Sequence, residues 1–315
     1  MIDTSLYDAH IPVMLESCMT LLEPKPGGRY ADGTLGAGGH SEAILKASAP
    51  DGRLLAFDLD PAAIEIAQER LKPYGDRVTI IQDSYVHLDQ YAEENSLDGF
   101  IVDLGVSSMQ LDNQERGFSF LQDGPLDMRF SPKQTISAAD IVNEWPEEEI
   151  ARILWLYGEE RKSRQIAAMI CAERKNTRID TTLQLQSIIC DAAGHGREKI
   201  HPATRSFQAI RIAVNRELEA VETVLPAAVK ALKPGGRLLV ISFHSLEDRI
   251  VKNYFKTESR DCVCPPEQPV CTCGHKASLV ELTRHPLTAD DAEIVANPRS
   301  RSAKLRAAMK LGSEE

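Results

Sequence analysis

No run of apolar residues in this 315-residue chain approaches the length of a membrane span, and Met1-Ile2-Asp3-Thr4-Ser5 carries neither the basic nor the apolar part of a signal peptide. The expectation is a cytoplasmic protein with no membrane partner. In that compartment the seven cysteines are expected as thiols or metal ligands rather than disulfides. With 43% hydrophobic and 26% charged residues, composition excludes neither an enzyme nor a binding module, and the length suits one large or two moderate domains. An excess of positive charge is also lacking: the formal net charge is −11. The deficit is uneven, however. Residues 161–216 hold eleven Lys or Arg against Glu173, Asp180, Asp191 and Glu198, a local +7 that leaves −18 for the remainder. Such asymmetry is the footprint expected of a phosphate-binding face, although scattered Arg and Lys more commonly mean a solvated helical surface.

Lys and Arg are missing, too, from the stretch around which the chain is organised, Tyr30-Ala31-Asp32-Gly33-Thr34-Leu35-Gly36-Ala37-Gly38-Gly39-His40-Ser41. An apolar-leaning segment reaches Asp32, four glycines fall within seven positions, and the apolar-periodic Ala43, Ile44, Leu45 and Ala47 follow. The pattern predicts a strand, a tight turn and a helix start, where bare glycine surface and free N–H groups admit a ligand. A second strand, Arg53–Asp58, ends in an acid 22 positions after Gly36, a spacing that suits a carboxylate on the ribose of a nucleoside cofactor. The dinucleotide pattern G-x-G-x-x-G would require glycine where Ser41 stands. Asp32, Asp58 and Asp60 around the turn would repel a pyrophosphate and attract a sulfonium and an ammonium, both of which S-adenosylmethionine carries. The plainer alternative is a strand–turn–helix whose glycines serve packing alone.

Along the chain, a short apolar helix to Leu22 precedes the first strand, and a helix over 61–71 starts at Pro61. Strands at 78–82 and 99–103 follow, so that acids close four successive strands: Asp32, Asp58, Asp83 and Asp103. Strands alternating with helices predict an α/β fold, a doubly wound parallel sheet with its ligand outside the carboxyl ends of the strands. Residues 104–135 read as a long functional loop rich in Gly, Ser and Asp. Helical patterns follow at 137–143, 146–157, 161–175 and 181–193, and 109–205 reads as an inserted, mostly helical domain. The βα pattern resumes with a long helix over 203–231 and a strand over 237–243.

Several longer motifs, in this order, carry a specific likeness. They are Ala31-Asp32-Gly33-Thr34, Gly38-Gly39-His40-Ser41, Asp103-Leu104-Gly105-Val106-Ser107-Ser108, Glu115-Arg116-Gly117-Phe118-Ser119-Phe120 and Asp123-Gly124-Pro125-Leu126-Asp127-Met128-Arg129. Gly158-Glu159-Glu160-Arg161, His201-Pro202-Ala203-Thr204-Arg205, Ser242-Phe243-His244-Ser245-Leu246-Glu247-Asp248-Arg249 and Asn297-Pro298-Arg299-Ser300-Arg301-Ser302 continue it. Over nearly its whole length the chain resembles the bacterial ribosomal small-subunit RNA methyltransferase H family. The resemblance implies a class I S-adenosylmethionine-dependent methyltransferase core, Rossmann-like, formed by 1–108 and 206–315, with 109–205 as a substrate-recognition insertion. It implies methyl transfer from S-adenosyl-L-methionine to N4 of a cytidine in the decoding centre of 16S ribosomal RNA, within the small ribosomal subunit. By motif match, cofactor contacts fall on Gly38, Gly39, His40, Asp58, Tyr85, Asp103 and Gln110.

The chemistry of the residues agrees, with one gap. The N4 lone pair of cytosine is delocalised into the ring, so attack on a methyl carbon needs acceptors for the amine protons and in-line positioning. Many amine methyltransferases carry an Asp/Asn-Pro-Pro-aromatic motif after the fourth strand. Asp103-Leu104-Gly105-Val106 stands there instead, so Asp103 or the carbonyls after it are the candidate acceptors. Phe118 and Phe120 are candidates for stacking on the base, or loop-anchoring core residues. His40 reads either as a residue of the helix start or, through the likeness, as a cofactor contact. His244 opens a capping-box-like start and is not expected to be catalytic. Arg205, Arg211 and Arg216 either bind phosphate or pair with acids, and Arg299, Arg301, Lys304 and Arg306 form a basic tail expected to join the RNA-binding face. The rival classes are a nucleotide-dependent oxidoreductase and a non-catalytic RNA-binding assembly factor that retains the cofactor fold.

Outside these motifs, Cys262-Val263-Cys264 and Cys271-Thr272-Cys273 place four thiols within twelve positions, separated by Pro265, Pro266 and Pro269. Proline and glycine leave this stretch little structure of its own, so a zinc ion held by Cys262, Cys264, Cys271 and Cys273 is one expectation. Common zinc sites pair ligands as C-x-x-C, whereas each pair here has one intervening residue. A redox-active pair and a plain reduced loop are the alternatives.

Overall fold

A computed structural model describes residues 11–194, 200–268 and 270–312. Met1–Ser5, Pro269 of the cysteine loop, and Arg197, Glu198 and Lys199 of the basic segment lie outside the described residues. Strands are β1 (Arg29–Asp32), β2 (Arg53–Phe57), β3 (Val78–Ile81), β4 (Leu97–Asp103), β5 (Leu232–Ser242), β6 (Leu279–Glu281) and β7 (Lys304–Lys310). Helices are α1 (Leu15–Leu22), α2 (Gly39–Ala47), α3 (Pro61–Leu71), α4 (Leu88–Tyr91), α5 (Ser108–Asp112), α6 (Ala138–Glu144) and α7 (Glu147–Gly158). They continue as α8 (Ser163–Glu173), α9 (Thr182–Ala193), α10 (Ala203–Asn215), α11 (Glu217–Ala231), α12 (Ser245–Glu258) and α13 (Asp291–Ala296).

The described residues form two compact units, one holding those up to Gly105 and from Leu218 onward, the other Val106–Glu217. The first is a class I Rossmann-like α/β unit. Its sheet runs β3-β2-β1-β4-β5-β7-β6, with β1 to β5 parallel and β7 antiparallel to both β5 and β6. Alternation along each strand supplies two cores. Phe100, Val102, Leu238 and Val240 face Val224, Leu225 and Ala228 of α11 and Phe255 of α12. Ile101, Leu239 and Ile241, between them in sequence, face the opposite layer with Ile44 and Leu45 of α2 and Ala67 of α3. Parallel pairing aligns the strand ends, so that Asp32 lies opposite Ala56 and Ile101, and β2, β1 and β4 finish side by side.

The second unit has its own core, where Ile150, Ile153 and Leu154 of α7 meet Ile166 and Ile170 of α8 and Ile210 of α10. The stretch expected as a long loop is ordered there by hydrogen bonds to this unit. Leu126 N–H donates to Asp180 C=O at 2.8 Å, Phe130 N–H to Asn215 Oδ1 at 2.8 Å, and the Arg116 guanidinium to the carbonyls of Arg129 and Phe130. A side chain at Gly117, where φ is +66°, would meet Pro125 C=O at 2.1 Å.

Two readings of the sequence are corrected. The helix expected over 203–231 is broken at Arg216, whose φ of +50° caps α10, and α11 begins at Glu217. Asn215 fixes the break by donating to Met128 C=O (2.8 Å) and Arg211 C=O (3.0 Å), which leaves α10 in the second unit. The units therefore divide at 105/106 and 217/218, not at 108/109 and 205/206. The basic tail is likewise not one surface. Arg306 lies in β7, 4% exposed, with Nε 2.6 Å from Asp248, and Lys304 reaches the same carboxylate at 3.3 Å. Arg211 makes a two-pronged pair with Glu217 at 2.8 and 2.9 Å. These cations hold the fold.

Truncating one partner of a buried ion pair strands the other charge, at a cost of about 3–5 kcal/mol. Arg306→Ala should therefore lower the unfolding free energy by about that amount in urea titrations, whereas Arg301→Ala, at an exposed position, should change it by less than about 0.5 kcal/mol. Equal effects would show that Arg306 is an ordinary surface cation.

Candidate active site

The turn after β1 is stitched to the strands on either side. Gly33 N–H donates to Ile101 C=O and Leu35 N–H to Phe57 C=O, each at 2.8 Å. Asp103 N–H donates to Thr34 Oγ1 at 2.7 Å. Asp32, 1% exposed, serves the turn with both oxygens, accepting from Thr34 N–H (3.0 Å) and Ser41 Oγ–H (2.7 Å). Gly38, at φ +80°, caps α2, and a Cβ on Gly39 would stand 2.2 Å from Pro12 Cγ, so bare backbone is required at both. The amides of Gly39, His40 and Ser41 open α2 with no preceding turn to accept them, and no side chain caps that end.

The His40 ring is taken up by the fold. It is buried and burial holds the imidazole below its usual range, so the neutral ring donates Nε2–H to Val13 C=O at 3.0 Å. Asp58 lies across the turn. Its Oδ2 accepts Gly36 N–H at 2.8 Å and its Oδ1 accepts Asp60 N–H at 2.9 Å. Each oxygen keeps a lone pair for a further donor. Burial pushes the Asp58 carboxyl up to about 6; the two amides oppose this, while the charges of Asp60 and Asp32 add to it.

At the end of β4, Asp103 Oδ1 is buried and no hydrogen-bond partner meets it. Burial, with Asp32 and Glu247 nearby, holds this carboxyl well above the usual carboxylate range. A buried acceptor without a donor is an arrangement that folding alone disfavours by roughly 1–3 kcal/mol. Glu247, 1% exposed, closes a capping box with His244: its Oε2 accepts Phe243 N–H at 2.9 Å and His244 N–H at 3.3 Å. His244 is thus the N-cap of α12, in keeping with its structural reading. Tyr85 backs the turn, its Cβ 3.1 Å from where a Cβ on Gly33 would stand.

Of the residues expected to touch cofactor, Gly38, Gly39, His40, Asp58, Tyr85 and Asp103 all belong to the first unit, at the carboxyl ends of its strands. Gln110 belongs to the second, where it completes a capping box with Ser107. Asp83, counted among the strand-end acids, is taken up by its own loop: Ser84 N–H at 2.7 Å, His87 Nδ1 at 2.9 Å and Tyr91 Oη at 3.0 Å. Phe118 and Phe120 are anchors. Phe118 stacks on Phe130 at 5.7 Å, and Phe120 on His201 at 4.7 Å, inside the second unit. Thr34 was given no role from the sequence, yet it ties the turn to Asp103. Its place two residues after Asp32, where a carboxylate commonly accepts a turn amide, was the available signal.

Residues 8–311 match the model of the MraW methylase family. The chain is 52% identical over 312 residues to a ribosomal RNA small subunit methyltransferase H of Symbiobacterium thermophilum, covering 97% of this chain and 98% of that one. It is 50% identical over 308 residues to the protein of that name from Heliobacterium mobile (96% and 99% covered). It is also 50% identical over 316 residues to that from Thermomicrobium roseum (99% and 97% covered).

If Asp58 holds the ribose, its ionised form is the one that would accept the hydroxyls and attract a cationic ligand. Binding should expel a proton below about pH 6, so the Kd for S-adenosylmethionine should fall by up to about tenfold per pH unit up to that point and then level. Calorimetry across this range should show the inflection, and Asp58→Asn should abolish it. Asp58→Ala should cost about 1.5–3 kcal/mol, about tenfold to a hundredfold in affinity. Unchanged affinity in Asp58→Ala, or tighter binding of NAD, would remove Asp58 from the cofactor site.

Proposed function

The chain belongs to the MraW methylase family, and we propose that it methylates N4 of a cytidine in the decoding centre of 16S ribosomal RNA, acting in the cytoplasm on the small ribosomal subunit. It is a methyltransferase, and its cofactor is S-adenosylmethionine. When bound, that cofactor supplies an electrophilic methyl group on a sulfonium. The residues at the strand ends fit it. Acids surround the turn, Asp58 presents free lone pairs, and the open amides of α2 favour an α-carboxylate.

The observation that carries the reading is the buried, unpartnered Oδ1 of Asp103 at the end of β4. An exocyclic amine brought there would give it the donor that folding withholds. Accepting one amine proton draws the N4 lone pair out of conjugation. After methyl transfer the nitrogen must lose a proton, and the ionised Asp103 carboxylate, with its free Oδ1, is the proposed acceptor. Leu104 N–H is already committed to Ile241 C=O at 2.9 Å, so the backbone after Asp103 is held rigid beside the acceptor. Phe243, half-buried beside Gly105 just after β5, is proposed to offer an aromatic face to the base. The relatives' names supply the substrate class, and the basic surface of the second unit supports it as the substrate-recognition domain. Exposed Arg161, Arg164 and Lys175 are its proposed phosphate contacts.

Asp103→Ala should slow methyl transfer by roughly 100-fold or more while leaving the fold intact. Single-turnover rates at saturating S-adenosylmethionine separate chemistry from binding, and a wild-type rate there takes Asp103 out of the reaction. A methyl-transfer rate of zero in the wild-type protein, with RNA still bound, would favour the assembly-factor reading. Neutralising Arg161 and Arg164 together should flatten the log–log salt dependence of RNA binding by about 0.7–0.9 per lost contact. An unchanged slope makes that face a solvated surface.

A further inference from the structure

Between α12 and β6 runs loop 259–278, in which none of the described residues is buried. Its feet are tied: Ser278 N–H donates to Glu258 C=O at 2.8 Å, Ser278 Oγ to the Glu258 carboxylate at 2.6 Å, and His275 Nδ1 to Arg260 C=O at 2.8 Å. Beyond these feet no hydrophobic core orders it. The cysteine sulfurs nevertheless converge. The Sγ atoms of Cys262, Cys264, Cys271 and Cys273 all lie within 4.8 Å of one another, with Cys271–Cys273 at 3.5 Å and Cys273–Cys262 at 3.9 Å.

We propose that these four thiols bind one zinc ion as a closed structural site that clips the loop. Zinc–sulfur bonds of about 2.3 Å in tetrahedral geometry put neighbouring sulfurs about 3.8 Å apart, between the two separations observed. Two disulfides would instead need sulfurs at about 2.05 Å, and all four cysteines are free. The surroundings are those of a thiolate ligand. The amides of Val263 and His275 both point at Cys273 Sγ, at 3.5 Å. Gly274, at φ +63°, makes the turn that folds the His275 amide back onto that sulfur. His275 itself is held by Arg260 and stands 3.5 Å from Glu258, which leaves four sulfurs as a complete ligand set. The single-residue spacing within each pair is tolerated because the ligands come from two separate stretches of the loop, whose four sulfurs lie within 4.8 Å of one another.

The loop leaves α12 at the end far from His244. The fourteen residues of α12 separate it from His244, about 20 Å along the helix axis. A closed four-sulfur shell also leaves no position for water or substrate. Its work is to order the loop.

Full-length protein purified without chelator should carry one zinc per chain by elemental analysis. Four thiols should resist titration until a strong chelator is added. Replacing zinc by cobalt should give the intense visible absorption of tetrahedral cobalt thiolate. Cys271→Ser with Cys273→Ser should lose the metal, and Cys190→Ser, outside the loop, should keep it. The stoichiometry, thiol and cobalt measurements use the wild-type chain, so misfolding of the double variant does not compromise them. Substoichiometric zinc with all four thiols freely titrated, disulfides among them, or zinc retained by the double variant would each overturn the assignment. None of these readouts depends on which RNA the enzyme modifies.

Discussion

A turn without regular structure of its own can carry a binding site only if something else fixes it, and here the ends of β2 and β4 do. Gly33 bonds to Ile101, Leu35 to Phe57, Gly36 to Asp58, and Thr34 accepts from Asp103. The same bonds that shape the turn place the carboxylates at its rim. Burial raises the carboxyls of Asp58 and Asp103, and neighbouring acids add to it: Asp60 and Asp32 for the first, Asp32 and Glu247 for the second. A cationic ligand placed there would draw both carboxyls back toward their usual range. An exocyclic amine would give the orphaned oxygen of Asp103 a donor.

Positive charge is divided by purpose. Arg306, Arg211 and Arg174 are spent inside the molecule, on Asp248, on Glu217 and on the carbonyls of Val142 and Trp145. Arg178 faces Asp140, Glu144 and Asp180. Net charge along the sequence therefore overstates what is available to phosphate. Among the exposed cations of the second unit, Arg161, Arg164 and Lys175 lie in and next to α8.

Much of this was legible in the sequence where local chemistry decides it. The alternation of Leu238, Leu239, Val240 and Ile241 marks a strand buried on both faces, and Asp58 follows β2 directly, against the glycine turn. What escaped depended on partners far away in the chain. Arg216 looks like any helical residue until Asn215 is seen bound to Met128, eighty-seven positions earlier. Asp83 resembles Asp58 at a strand end, yet Tyr91 and His87 turn it toward its own loop. Phe118 and Phe120 are aromatic and loop-borne, as a base-stacking pair would be, and only the position of Phe130 and His201 shows that they are already occupied. Thr34 is a small polar residue in a turn, and its service to Asp103 becomes visible only when β4 is laid beside β1.

We propose that this constellation delivers a methyl group to an exocyclic cytidine amine of small-subunit RNA. Labelled-methyl transfer to small ribosomal subunits lacking the modification, followed by digestion to nucleosides and mapping of the labelled position, tests it most directly. The account predicts label in N4-methylcytidine at a single site in the decoding centre. Label on a ring carbon, on a ribose oxygen, or on an RNA of the large subunit would contradict it.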